Sequence, residues 1–354
     1  MEKTFKEIQY DHQYEVTQNH HEWFDNDGCF GTFKNKTYRF VLKDCMNNLY
    51  EPLRTTVMES PLNVLRYFTE NGIGWWSGAR PSNHMCSSQI SCINHLFPLR
   101  YDHDAVLSIA NSVAAMAGEK PFENVLEIGG DKVMPGYIAF ELVTSKDYLN
   151  EAKDGVLSRG SQCTSVDAAI VVKRGDKVYI LPIEWKFVEE YGRDDKSRNI
   201  LDKKENRWHY SGDERIRRYF ESGLVPDSEQ IIFEKGQNPI GTVFFQEPFY
   251  QLMRQTLWAE QVIVNKDAFF HGASDYIHVH VVPEANTTLR DKTYSKVDWD
   301  NGKGMIATWK ANLRHPEKYV CIDPKILFRG IIGDEVLSAR YSELLKYLET
   351  RYWQ

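Results

Sequence analysis

The chain has 354 residues, of which 42% are hydrophobic and 13% aromatic, and its formal net charge is −7. This composition is typical of a globular protein with a sizeable core and excludes a mostly disordered chain. The six cysteines include no CxxC pair, so we do not expect a disulfide framework. The acidic charge counts against a protein that is basic over its whole surface, but a nuclease needs a positive potential only on its binding face.

The N-terminal segment has no apolar stretch typical of a signal peptide. No later segment approaches the ~18 uninterrupted apolar residues that a membrane helix needs. We therefore expect a cytoplasmic protein without a membrane partner.

Residues 1–118 are predicted to form a mostly helical region packed on the rest of the protein. A helix is expected over 60–71, because Ser60 can cap its start and Gly72 can close its end. A second helix, rich in small apolar residues, is expected over 104–117, where a glycine follows.

Residues 119–354 are predicted to form the core domain. Strand-like and helical segments alternate along it, which favours an α/β fold with a central mixed sheet flanked by helices. The expected strands are residues 137–144, 166–173, 178–187 and 276–282, and the expected helices are residues 247–262 and 334–352.

Two of these strands are separated by a tight turn that predicts a β-hairpin. If Gly175 and Asp176 are the two loop residues, Asp167 lies directly opposite Glu184, with Cβ atoms ~5 Å apart. Lys186 follows two residues later and points to the same face of the sheet. A longer loop would shift the register and turn one carboxylate to the other face.

Two carboxylates that face each other repel, and a purely structural hairpin would avoid that pairing. A divalent cation removes the repulsion, since Mg²⁺ is commonly held by one or two carboxylates together with waters and phosphate oxygens. An amine beside such an ion can orient the attacking water or stabilise negative charge on the phosphate. The alternative is a solvated sheet face on which the same residues are ordinary polar positions.

Asp167, followed after a turn by Glu184 and Lys186, resembles the motif of the PD-(D/E)XK nuclease superfamily. The resemblance implies a restriction-endonuclease-like core in which Asp167 and Glu184 bind metal and Lys186 assists the water. Val166 stands where the family name has proline. The superfamily often adds an acid from an element before the hairpin, and Glu141 is the candidate here, with a surface residue on a half-buried strand as the alternative.

Two further segments extend the resemblance from about residue 80 to 262. Cys86–Gln89, Asn94 and Phe97–Leu99, together with Glu247–Gln255, are similar to a bacterial restriction-endonuclease-like group within the superfamily. Their position on both sides of the hairpin makes the short D…ExK pattern more specific than it is alone.

Candidate nucleic-acid contacts lie on the predicted helix over 247–262. Gln251 and Gln255 share a helix face, and Arg254 lies beside them. Gln251 and Arg254 are expected to contact phosphate or support the active site, and the alternative is that they satisfy buried backbone groups.

Residues 193–219 mix basic and aromatic residues, a combination that suits a surface tracking a nucleic-acid strand. Acidic residues are nearly as frequent, so a solvated loop is an equal alternative. Arg215, Arg217 and Arg218 are its best candidates for phosphate binding.

The sequence therefore favours a Mg²⁺-dependent endonuclease that hydrolyses phosphodiester bonds in DNA, of restriction or defence type, with Mn²⁺ able to substitute. RNA as a substrate is not distinguished from DNA. A homodimer fits double-strand cutting, because one such centre cuts one strand. The alternatives are an inactive nuclease fold that only binds nucleic acid, and an interaction protein without a nucleic-acid role, for which the acidic charge is the main argument.

Overall fold

The computed structural model describes residues 3–76, 78–130, 133–152, 156–157, 163–202 and 207–354. Within these ranges, no helix is both long enough and apolar enough to cross a lipid bilayer.

Helices lie at both ends of the described chain and between its strands. They are α1 (Phe5–Asn19), α2 (Val64–Glu70), α3 (Ser88–Leu96), α4 (His103–Ala117), α5 (Ser211–Ile216), α6 (Phe249–Val264), α7 (Thr287–Arg290), α8 (Met305–Ala311), α9 (Pro324–Leu327), α10 (Arg329–Gly333), α11 (Glu335–Arg340) and α12 (Ser342–Arg351). The expected helices at 104–117 and 247–262 are confirmed as α4 and α6. As predicted, α4 ends at Gly118, which adopts the left-handed conformation with φ 71°.

The strands are β1 (Gly31–Phe33), β2 (Lys36–Tyr38), β3 (Asn124–Leu126), β4 (Ile128–Gly130), β5 (Val133–Gly136), β6 (Ala139–Leu142), β7 (Val166–Arg174), β8 (Lys177–Trp185), β9 (Ile200–Asp202), β10 (Arg207–His209), β11 (Asp275–Tyr276), β12 (His278–Val281) and β13 (Tyr319–Ile322). The central sheet has the order β13-β12-β8-β7-β3, with β11 beside β8 and β6 beside β7. β12 runs parallel to β8 and β13, whereas β7 runs antiparallel to β8, β3 and β6. The prediction of an α/β fold with a mixed sheet is confirmed.

Side chains of β7 alternate between two hydrophobic clusters, as the two-residue period of a strand requires. Ala168, Ile170 and Val172 belong to a cluster shared with α3, α4 and the C-terminal helices. Ala169 and Val171 belong to a second cluster built around α6. The sheet is therefore buried on both faces, and charged side chains on its central strands need a specific reason.

The first hydrophobic cluster includes residues from both sides of residue 118. Phe5, Leu53 and Ile109 precede that position, and Ile183 and Leu348 follow it. The N-terminal helices thus pack on the same core as the sheet. The division of the chain into two domains at 118/119 stays a prediction.

The expected helix over 60–71 is shorter than predicted, because its cap lies three residues further along the chain. α2 starts at Val64, and the side chain of Asn63 accepts a hydrogen bond from the backbone N–H of Arg66 at 2.9 Å. Ser60 lies in the turn before the helix, so its assignment as the cap was wrong.

The expected helix over 334–352 is two helices, α11 and α12, with a break at Tyr341. Asp334 caps the first of them through its side chain. The Tyr341 hydroxyl donates to Asp102 Oδ2 at 2.9 Å, which fixes the break by a contact with the start of α4. The single long helix was wrong.

Three further boundaries differ from the sequence predictions. The strand expected over 137–144 is limited to β6, and the strand expected over 276–282 is divided into β11 and β12, which pair with successive parts of β8. The mostly helical N-terminal region also contains the β1–β2 hairpin.

Candidate active site

The hairpin of β7 and β8 has the register that the Gly-Asp turn predicts. Arg174 pairs with Lys177, and the ladder continues to Ala168 opposite Ile183. Gly175 adopts φ 56°, a conformation that favours glycine. Asp167 and Glu184 lie one residue beyond the last pair on their strands, and Glu184 lies on the side of the sheet that carries α6, where Gln255 contacts it.

Asp167, Glu184 and Lys186 come together as predicted. The backbone N–H of Trp185 donates to Asp167 Oδ2 at 2.7 Å. The Lys186 amine lies 2.5 Å from Glu184 Oε1, and the two side chains are almost fully buried, with residue exposures of 6% and 2%. The two acids and the amine therefore form one compact centre at the end of the hairpin.

The electrostatics of this centre are dominated by burial and by an excess of carboxylates. Burial, and then the charges of Glu184 and Glu141, raise the pKa of Asp167 well above its ordinary value. Burial disfavours the charged form of Lys186, but Glu184 and its other acidic neighbours keep the pKa of the amine well above its ordinary value. Lys186 is thus a cation beside three carboxyl groups, and its single positive charge cannot balance all of them.

Glu141 joins this centre from β6. Its side chain is 8% exposed and accepts a hydrogen bond from Gln89 Nε2 at 2.6 Å. Its φ is 47°, an uncommon conformation for a residue with a side chain, and the alternation along β6 changes phase there. Such strain persists where the surrounding structure enforces it and is frequent at functional sites.

Helix α6 contributes polar side chains that contact Glu184 at the end of β8 and Lys186 just beyond it. Gln251 Oε1 accepts a hydrogen bond from Lys186 Nζ at 2.7 Å. Gln255 Nε2 donates to Glu184 Oε2. The shared helix face predicted for the two glutamines therefore lies directly against the hairpin.

The β7–β8 hairpin and helix α6 line a common cavity of about 530 Å³. Its lining includes Asp167, Glu184, Lys186, Gln251 and Arg254, together with residues of the N-terminal region.

The chain matches the family described as "Restriction Endonuclease associating with ARP" over residues 18–353. It belongs to that family. No curated protein and no solved structure matches the chain significantly. The family match confirms the expected likeness to restriction endonucleases, and it includes the N-terminal region as well as the hairpin.

Arg254, expected to contact phosphate, is held on the cavity wall of this restriction-endonuclease family member by an ion pair. Its Nη2 lies 2.8 Å from Glu151 Oε1, and the Tyr219 hydroxyl donates to the same oxygen at 2.5 Å. Burial opposes the charge on Arg254, while Tyr219 and Glu151 together raise the pKa of the guanidinium. The arginine is therefore fixed in position as a permanent cation beside the candidate centre.

The other three predicted phosphate contacts lie away from the cavity. Arg215 donates to the backbone carbonyl of Lys196 at 3.0 Å, and Arg218 donates to that of Asn150 at 2.9 Å. Arg217 is exposed on the helical segment between them. Residues 203–206 of the basic and aromatic stretch lie outside the described residues. Contact of the three arginines with nucleic acid stays a prediction.

Sequence reasoning missed the cavity rim, which the N-terminal region supplies through Phe33, Lys34 and Trp76. The Trp76 side chain is 71% exposed, whereas its neighbour Trp75 is buried and stacks on Phe68. The available signal was the pair of consecutive tryptophans. One of them can fill a core position, and the second is then left for another role.

Glu247 was also missed as a cavity residue. It lines the same cavity, and its Oε2 atom is buried without a hydrogen-bond partner among the described residues. Burial raises the pKa of its carboxyl, while Lys186 lowers it. Its place at the start of the segment Glu247–Gln255, which carries the resemblance, was the signal.

Asp167 and Glu184 are the residues that could hold a divalent metal. Among the described residues, no group of three or more His, Cys, Asp or Glu side chains is arranged to enclose an ion. Mg²⁺ needs only one or two carboxylates, because waters and substrate phosphates complete its shell. Burial and the charge of Glu184 raise the pKa of Asp167, and a bound cation would offset both effects, so the two carboxylates fit such an open site.

Proposed function

We propose that this protein is a metal-dependent endonuclease that hydrolyses phosphodiester bonds in DNA, with a role in restriction or defence. The proposal rests on one observation: Asp167, Glu184 and Lys186 meet at the end of the β7–β8 hairpin, in the wall of one cavity, in a chain of a restriction-endonuclease family. It refines the family assignment to the PD-(D/E)XK mechanism.

Asp167 and Glu184 would hold Mg²⁺, with Mn²⁺ as a substitute. When bound, the ion supplies a Lewis acid for the phosphate and a lower pKa for a coordinated water. Asp167 keeps its orientation through the N–H of Trp185, and Glu184 keeps its orientation through Lys186 and Gln255.

Lys186 is the residue proposed to act on the reacting groups. Gln251 and Glu184 hold its amine from two sides, at 2.7 and 2.5 Å. A buried ammonium in a fixed position stabilises negative charge that develops on the phosphate and can orient the attacking water, without reorganisation during the reaction.

DNA would enter along the wall that carries Arg254 and the rim that carries Lys34. The two side chains would contact phosphates in a protein whose net charge is −7, and Arg254 would do so while paired with Glu151. Phosphate contacts of this type position the strand and do not read its sequence.

The test is cleavage of plasmid, single-stranded and methylated DNA, and of RNA, with Mg²⁺, with Mn²⁺ and with EDTA. Wild-type protein is expected to cut DNA only with metal, and Asp167→Ala and Lys186→Ala are expected to abolish cutting. Asp176→Ala and Lys177→Ala are matched controls, because they change the same residue types at the exposed end of the same hairpin. Equal cutting by all variants would refute the assignment.

We also propose a homodimer as the form that makes double-strand breaks. A single centre cuts one strand, so a monomer is expected to nick plasmid. Sedimentation with and without DNA, compared with the ratio of nicked to linear product, tests this.

A further inference from the structure

A chain of buried polar side chains runs from α6 and β12 to Glu184. Thr256, His278 and Gln255 are each 1% exposed, and Glu184 is 2% exposed. The contacts are Thr256 Oγ1 with His278 Nδ1 at 3.2 Å, His278 Nε2 with Gln255 Oε1 at 3.0 Å, and Gln255 Nε2 with Glu184 Oε2. Four side chains from three elements thus form one connected path.

The acceptors around Gln255 fix the direction of its amide group. Gln255 Nε2 lies 3.3 Å from the backbone carbonyl of Ser165, which can only accept a hydrogen bond. It also contacts Glu184 Oε2, which can only accept when Glu184 is ionised. The amide nitrogen must therefore face these two oxygens. Its oxygen must face His278, where it needs a donor.

This requirement selects one tautomer of His278. The ring must carry its proton on Nε2 to donate to Gln255, so Nδ1 accepts from the hydroxyl of Thr256. Burial lowers the pKa of His278 to about 3, in agreement with a neutral ring. Each hydrogen bond in the path then runs in the same direction, toward Glu184.

At the end of the path, each oxygen of Glu184 has one donor. Lys186 is at Oε1, and Gln255 is at Oε2. Two donors on opposite oxygens fix the rotation of the carboxylate group. A carboxyl oxygen has a second lone pair, which stays available for a cation.

We infer that Thr256, His278 and Gln255 are positioning residues that orient Glu184 for a divalent cation. The inference rests on the proposed function, because it assigns the path to the metal site of that function. Buried polar groups cost free energy unless each of them is paired, and apolar residues would fill this space without that cost. Holding a metal ligand in a fixed orientation is a known reason to keep such a path. Mutation of residues that hydrogen-bond to metal ligands commonly lowers metal affinity or activity by 10–100-fold.

The experiment measures Mn²⁺ binding to the full chain by calorimetry, without DNA, at a temperature where circular dichroism shows native protein. His278→Phe and Thr256→Val each interrupt the path while conserving much of the buried volume. Each is expected to weaken Mn²⁺ binding, on the order of 10-fold for His278→Phe. Thr256→Ser keeps the hydroxyl and is expected to bind like wild type.

Thr308→Val is the matched control. Thr308 is fully buried and donates to Asn301 Oδ1 at 2.7 Å, outside the cavity. Its loss is expected to lower stability and leave Mn²⁺ affinity unchanged. Asp167→Ala is expected to remove binding and marks the lower limit of the measurement.

Native His278→Phe and Thr256→Val proteins that both bind Mn²⁺ like wild type would overturn the positioning role and leave the nuclease proposal intact. Wild-type protein that binds no Mn²⁺ would overturn both. If wild type binds Mn²⁺, the variants weaken binding and no DNA or RNA is cut, the positioning role stands and the nuclease proposal fails.

Discussion

Asp167→Asn tests whether the carboxylate cluster is kept for function at a cost in stability. Asparagine is nearly the same size as aspartate, and its side-chain oxygen can still accept the hydrogen bond from Trp185 N–H. The substitution removes one negative charge from beside Glu184 and Glu141, the two acids that raise the pKa of Asp167. We expect a more stable protein without metal and no cleavage of DNA.

The magnitude follows from the general spacing of opposed positions in a hairpin. Facing residues have Cβ atoms ~5 Å apart, and two unit charges at that distance repel by about 3 kcal/mol at an effective dielectric constant of ~20. The nearby Lys186 cation and uptake of a proton by Asp167 relieve part of this repulsion. We therefore expect Asp167→Asn to raise the free energy of unfolding by about 1–2 kcal/mol at pH 8 in EDTA.

Urea unfolding at pH 8 measures this difference, first in EDTA and then in Mg²⁺. The pKa of Asp167 is raised in the folded state, so ionisation costs stability as the pH rises from the unfolded pKa of about 4 towards the folded pKa. The stabilisation by Asp167→Asn should accordingly diminish as the pH approaches 4. Added Mg²⁺ should stabilise wild type and not the variant. An Asp167→Asn protein that is less stable than wild type in EDTA would refute the argument.

Three further results are expected. Burial lowers the pKa of His95 to about 3, and its Nε2 accepts from Trp353 Nε1 at 3.0 Å, so His95 by itself should lower the unfolding free energy by about 1.4 kcal/mol per pH unit below about pH 6.5, in addition to the other buried histidines. Urea unfolding of His95→Gln should show a shallower fall, and an equally steep one would contradict this. Gly175→Ala, at φ 56°, should cost about 1 kcal/mol in thermal unfolding and leave cleavage unchanged, and no loss would argue against a strained turn. Glu141→Gln keeps the acceptor for Gln89 but removes a charge, so cleavage rates should fall on the order of 10-fold, and an unchanged rate would exclude a role for that charge.

The sequence alone determined the centre of the hairpin. A two-residue turn fixes every pair of an antiparallel ladder, so the pairs up to Ala168 and Ile183, the neighbours of Asp167 and Glu184, followed from Gly175 and Asp176. The two-residue period of a strand then placed Lys186 on the same face. Helical spacing likewise placed Gln251 and Gln255 on one face of α6. These are local rules, and they need no knowledge of the rest of the chain.

Contacts between distant parts of the chain were decided only by the tertiary structure. Gln89 meets Glu141 across 52 positions, and Gln255 meets Glu184 across 71. The break between α11 and α12 is tied to a hydrogen bond from Tyr341 to a residue 239 positions earlier. No periodicity in the sequence encodes such pairs, because they depend on how whole helices pack against the sheet. That packing converts a hairpin that carries two acids into a lined cavity.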